Sequence, residues 1–229
     1  MADSGITARS RRAICAAMAT VACMMSITVT SSAQTTIPAD RGLARLAAAN
    51  VLLNRYRSSH SLEDLRTASS TLLSANDFSM NRPEDLVARR RAVTSGYATI
   101  LRELESLTDP TFDPSDPKSL PLMCVTPPRE PSGRQLGSCV DPNDIQDPAT
   151  RAAYLVAIDE NAARTRRLNT QQRVHTLALE TTDRLARVLR RYRSRVPDDG
   201  AAIDAILRQA GVSDARRATI EAAVAAPGQ

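Results

Sequence analysis

The stretch that decides the fold is residues 81–108, NRPEDLVARRRAVTSGYATILRELESLT. It opens with a helix start signal: a capping Asn81, Pro83 in the first turn, and Glu84 and Asp85 near the positive end of the helix dipole. Leu86, Val93, Ile100 and Leu107 then fall seven apart, with Tyr97 and Leu104 filling the same seam, and only Arg90 interrupting it. This spacing predicts a helix over about 82–108 with one apolar stripe. Such a stripe packs inside a bundle or forms a coiled coil with another chain. Three and a half heptads sit at the lower edge of what sustains an independent coiled coil, which favours the bundle.

Working toward the N-terminus, Asp40 can cap a helix over about 41–57, on which Leu43, Leu46, Asn50 and Leu53 recur every three or four residues, widened by Leu52 and Tyr56. Ser61 followed by Asp64 resembles a capping box. It would open a shorter helix carrying Leu62, Leu65, Leu72 and Leu73 after a tight Ser-Ser-His reversal.

Ahead of Asp40 the chain looks like an address. Arg9, Arg11 and Arg12 precede an almost charge-free run from Ala13 to Thr30, and Ser31-Ser32-Ala33 supplies the small residues of a cleavage site before Gln34. Residues 1–33 are therefore read as a signal peptide, which makes the protein periplasmic or secreted. Uncleaved, the run approaches the ~20 residues of a membrane anchor, although Thr and Ser dilute it and no positive cluster follows. Cys23, preceded by Thr20-Val21-Ala22, is a weak match to a lipid-anchor site because Thr20 lacks the bulky apolar side chain such sites use.

Cleavage leaves Cys124 and Cys139 as the remaining cysteines, fifteen positions apart, which in an oxidising compartment reads as one disulfide. No Cys-x-x-Cys spacing or histidine partner suggests a redox or metal pair.

The pair lies in residues 109–147, where prolines at 110, 114, 117, 121, 127, 128, 131 and 142, with Pro148 beyond, forbid a continuous helix. Asp109, Asp113 and Asp116 each precede a proline, and Asp141, Asp144 and Asp147 form a second acidic group. The EF-hand spacing with its Gly and terminal Glu is absent, so the acids read as turn chemistry and no metal is expected. A long loop of this kind is functional or disordered, and the 124–139 stretch is the expected recognition surface.

Beyond the loop, Asp147-Pro148-Ala149 starts a helix expected over 148–197, stopped by Pro197. Val174, Ala178, Thr181, Leu185, Val188 and Tyr192 form its latter seam, while Leu155, Ile158 and Ala162 lie on another phase. Polar Asn169-Thr170-Gln171-Gln172 between them implies a kink or a projection into solvent. From Arg151 to Arg195 eleven arginines face four acids, and Arg184, Arg187, Arg191 and Arg195 share one flank as candidate partner-binding residues, for a protein or an anionic membrane.

Residues 198–229 read as an αα-hairpin broken at Ala210-Gly211-Val212-Ser213. That string, flanked by Ile206-Leu207 and Ile220, resembles the turn of bacterial helix-turn-helix repressors. The resemblance implies DNA binding; the second helix lacks the Asn-, Gln- or Thr-rich face that reads bases, and export removes the protein from the chromosome.

Composition agrees with helices: Ala and Leu dominate, Trp is absent and Gly is sparse. The formal charge of +5 falls to +3 once Arg9, Arg11, Arg12 and Asp3 leave with the signal, too little for a charge-driven function alone. Lys118 is the only lysine, a bias that suits a GC-rich genome as well as it suits selection for guanidinium forks. The two histidines, His60 and His175, belong to no catalytic motif, and carboxylate pairs such as Glu103 and Glu105 diverge on a helix. No catalytic residue or cofactor is expected.

The expectation is an all-α bundle of about four principal helices, three of them within 34–108, with a disulfide-closed loop and a C-terminal hairpin. Its expected role is a non-catalytic structural or interaction protein of the bacterial envelope, able to bind another envelope protein or to self-associate.

Overall fold

The computed structural model describes residues 40–75, 83–122, 124–196 and 199–226. These residues form six α-helices and two short 3-10 turns, with no strand among them, and carry the Cys124–Cys139 disulfide. The predicted leader, with Cys15, Cys23 and the cleavage site at Ala33, lies outside the described residues, as do Asn81 and Pro197.

Helix α1 spans Arg41–Ser59, and the Asp40 carboxylate accepts from the amides of Gly42 and Leu43 as the expected cap. It ends where His60 takes a left-handed backbone, φ 51°, and turns the chain directly into α2, Leu62–Ser74. The predicted capping box does not form. Ser61 makes no side-chain cap, and Asp64 is instead held by Arg55 and by the Ser59 hydroxyl at 2.6 Å, because the tight reversal folds the last turn of α1 over it. Those bonds keep the Asp64 carboxyl below its ordinary range.

Helix α3, Pro83–Leu107, places Leu86, Val93, Tyr97, Ile100 and Leu104 in the core. Its seam is therefore covered within the chain. Gly96 lets α2 approach closely, since a Cβ there would meet Leu72 at 2.9 Å. Facing α3 and α2 is the second half of α4, Pro148–Arg193, which contributes Val174, Leu177, Ala178, Leu185, Val188 and Tyr192 to the same core. With no tryptophan available, tyrosine supplies the bulk: Tyr56, Tyr97 and Tyr192 are buried there. Tyr97 donates to the Ser69 carbonyl at 2.9 Å, and burial raises its phenol well above the ordinary value.

Arg90, the apparent flaw in the α3 seam, is buried and paired with Asp199 at 2.5 Å, just ahead of α5, Gly200–Gln209. Ile203 and Leu207 of α5 enter the core, Gly211 supplies the positive φ of the turn, and Ser213 caps α6, Asp214–Ala225, through the Arg216 amide. The hairpin docks on the body: Ser213 donates its amide and hydroxyl to the Glu105 carboxylate of α3, and Ile220 is buried.

Three apolar positions expected on inner faces are not there. Leu43, Leu107 and Leu155 are more than a third exposed. Leu43 and Leu107 stand beside helix ends, and Leu155 lies on a part of α4 that no other helix covers among the described residues.

Candidate functional site

The first half of α4 extends beyond the helical body. No residue from 155 to 173 is buried, yet the helix runs unbroken through Asn169-Thr170-Gln171-Gln172, so the polar stretch projects rather than kinks. Gln171 instead clamps the end of α3, donating to the Leu107 carbonyl at 3.1 Å and accepting from the Asp109 amide at 2.8 Å. From that clamp the proline-rich loop lies back along the projecting helix as a sheath.

The sheath is fastened residue by residue. Phe112 sets its ring edge-on to His175, with centroids 6.3 Å apart. Arg164 donates to the Lys118 carbonyl at 2.7 Å, and Asn161 to the Leu122 carbonyl at 3.2 Å. The Tyr154 hydroxyl lies 3.2 Å from the carbonyls of both Val125 and Val140, one on each side of the disulfide, whose Cα atoms are 5.1 Å apart. Tyr154, Leu136 and Ile145 form a second small core, with Val125, Val140 and Ile158 packed against it. The sequence reading chose Leu155 and Ile158 for this face and missed Tyr154, one position away.

Two charged groups complete the clasp. Glu130 is buried, and its carboxylate accepts from the Gln146 amide at 3.1 Å and from the Ser132 hydroxyl. Arg151 donates twice to the Ile145 carbonyl, at 3.0 and 2.6 Å. Proline density marks the loop as interrupted, non-α-helical backbone without singling out Glu130 as its buried acid.

The aspartates of the loop cap turns. Asp109 accepts from the Thr111 hydroxyl and amide, Asp113 from those of Ser115, and Asp147 from those of Thr150, and these bonds hold all three carboxyls below their ordinary range. Asp116 and Asp141 each accept from the amide two residues on.

The four candidate arginines do not form one free flank. Arg184 turns inward, donating to the Ser69 hydroxyl at 3.1 Å and to Glu180 at 3.3 Å, and Arg187 pairs with Asp183 at 2.8 Å. Arg191 and Arg195 remain exposed at the end of α4, joined there by Arg193. Helical spacing placed all four on one side, but Ser69 opposite Arg184 comes from a helix 115 residues away.

Two concavities accompany these surfaces. One, about 630 Å³, lies between α4, α5 and α6, with Leu189, Ile203, Leu207, Ile220 and Val224 as its apolar wall. The other, about 530 Å³, lies between loop and projecting helix, lined by Leu122 and Val125 of the loop and by Ala157, Glu160, Asn161, Ala163, Arg164 and Arg167 of the helix. Beside it Leu120 and Leu122 are 60% and 52% exposed.

The chain is thus an all-α protein with a disulfide-closed, helix-clasped loop. No protein-family model, curated protein or solved structure matches it.

Proposed function

We propose that this protein is an exported, non-catalytic interaction protein of the bacterial envelope, and that it recognises another envelope protein through the clasped loop. One observation carries the reading: a proline-rich loop fastened along a projecting helix and stapled by a disulfide, holding two leucines out to solvent just ahead of the staple. A structural disulfide suits an oxidising compartment, in keeping with the leader-like start of the sequence. Irregular backbone on a rigid support is a common form of recognition surface, and exposed apolar side chains beside a groove give it affinity. The histidines, packed edge-on against Tyr56 and Phe112, fit structural roles.

Leu120→Asp with Leu122→Asp is expected to weaken capture of the partner from envelope extract by tenfold or more, since burying one leucine contributes about 1.5–3 kcal/mol. Helicity should not change. Equal capture by both forms, or Met1 still present on protein isolated from its host instead of a start at Gln34, overturns the reading.

A second reading, contact with an anionic membrane, is supported by Arg191, Arg193 and Arg195 at the end of α4. Each arginine near such a surface contributes about 1 kcal/mol. Replacing all three by Gln is then expected to lower sedimentation with phosphatidylglycerol vesicles about a hundredfold, and unchanged sedimentation removes this reading.

A further inference from the structure

Outside its direct loop contacts the projecting helix is largely exposed between Ala152 and Thr170, and Glu160, Ala163 and Arg167 on that face also border the concavity beside Leu122 and Val125. Ala152, Val156 and Thr170 are exposed along one line, with Ala163, half-buried, at its middle. Spacings of four, seven and seven residues keep these side chains on one stripe of an α-helix. Asp159 and Glu160 flank the stripe on one side of Ala163 in sequence, Arg166 and Arg167 on the other, and all four are exposed. Among the described residues none of these four side chains has an ion pair or hydrogen bond within the chain.

This pattern is a palindrome of charge about a small residue. If a second α4 is laid antiparallel on the first with the two Ala163 residues at the crossing, Asp159 of each copy faces Arg166 of the other, and Glu160 faces Arg167. Val156 falls opposite Thr170. A parallel pair would set acid against acid and arginine against arginine, which is unfavourable. Alanine at the crossing lets the backbones approach, and the stripe from 152 to 170 offers about 27 Å of helix for contact. An unrelated partner would have no need of the inversion, whereas a two-fold axis demands it, because an isologous interface must complement itself.

We infer that the protein self-associates as an antiparallel dimer through this outer face of α4, crossing at Ala163. This contact adjoins the groove proposed above for a partner, since Glu160, Ala163 and Arg167 border both, while Leu120 and Leu122 belong to the loop alone.

Sedimentation equilibrium of the full oxidised chain tests this with charge swaps at exposed positions, where helicity by circular dichroism should be unchanged. The wild type is expected to dimerise. D159R/E160R makes the face all-basic and R166E/R167E makes it all-acidic. Each alone is expected to weaken self-association about tenfold or more, since the four ion pairs of the dimer all become repulsions. An equimolar mixture of the two is expected to pair, and the chain carrying all four replacements is expected to dimerise again to within about threefold of wild type. A monomeric wild type, dimers that persist in both double variants, or failure of the four-fold variant to recover would each overturn the proposal. Leu120→Asp with Leu122→Asp should leave the dimer intact, so loss of partner capture and loss of self-association are separately readable.

Discussion

Ile100→Lys is expected to destroy the helical fold, with loss of the far-UV helical signal, rather than to release folded monomers from an oligomer. Ile100 has no exposed surface, and its neighbours on the α3 stripe, Val93, Tyr97 and Leu104, have none either. They belong to one core with Val174, Leu185, Val188 and Tyr192 of α4. Removing the isoleucine forfeits about 1.5–3 kcal/mol of burial, and burying an ammonium among apolar side chains adds several kcal/mol. Against a total stability of about 5–15 kcal/mol the sum is decisive. Ile100→Val, which removes one methylene, should cost about 0.5–1.5 kcal/mol and remain folded. A soluble, fully helical Ile100→Lys protein would mean that this seam faces another chain instead of α4.

That test turns on a stripe whose existence could be read directly from residue spacing, whereas its pairing could not. Apolar residues every three or four positions are a local property, so α3 and the second half of α4 stood out, as did the Asp40 and Ser213 caps. What spacing cannot convey is the residue standing opposite. Arg90 looked like a flaw because Asp199, its partner, is 109 positions away in the sequence. Arg184 looked like part of an exposed flank because Ser69 was not known to lie beneath it. In the projecting half of α4 the difficulty is different. Among the described residues its neighbour is a loop, which covers a narrow strip through Tyr154, Ile158 and Asn161, so hydrophobicity stops marking the inner face, and Leu155 and Val156 are exposed. The same thin cover leaves Asp159, Glu160, Arg166 and Arg167 exposed, which is why the outer face could be read as a surface only after the inner one was known.

Replacing Cys124 and Cys139 by serine is expected to free the loop from α4 while leaving the helical body folded. The disulfide closes a loop of fifteen-residue separation, a constraint of roughly 3 kcal/mol in the chain-entropy model. The attachment it supports is small: three buried apolar side chains, the Tyr154 hydroxyl between two carbonyls, and the buried Glu130 carboxylate on the Gln146 amide. All of these contacts lie between residues 122 and 161, and none belongs to the core shared by α1, α2, α3 and the second half of α4. Loss of about 3 kcal/mol corresponds to a rise of roughly a hundredfold in the population of the open loop, and local opening of this kind need not involve the rest of the molecule. Tryptic cleavage after Arg129 and Arg134 should accelerate by about that factor, together with exchange of the position-139 amide, which in the native chain donates from Cys139 to the Val125 carbonyl across the closure. The melting temperature of the body should shift little. If cleavage rates are unchanged, Tyr154 and Glu130 hold the loop without help from the sulfur bridge; if helicity collapses with the double serine variant, the loop is part of the body's core, and its role as an independent recognition element is lost.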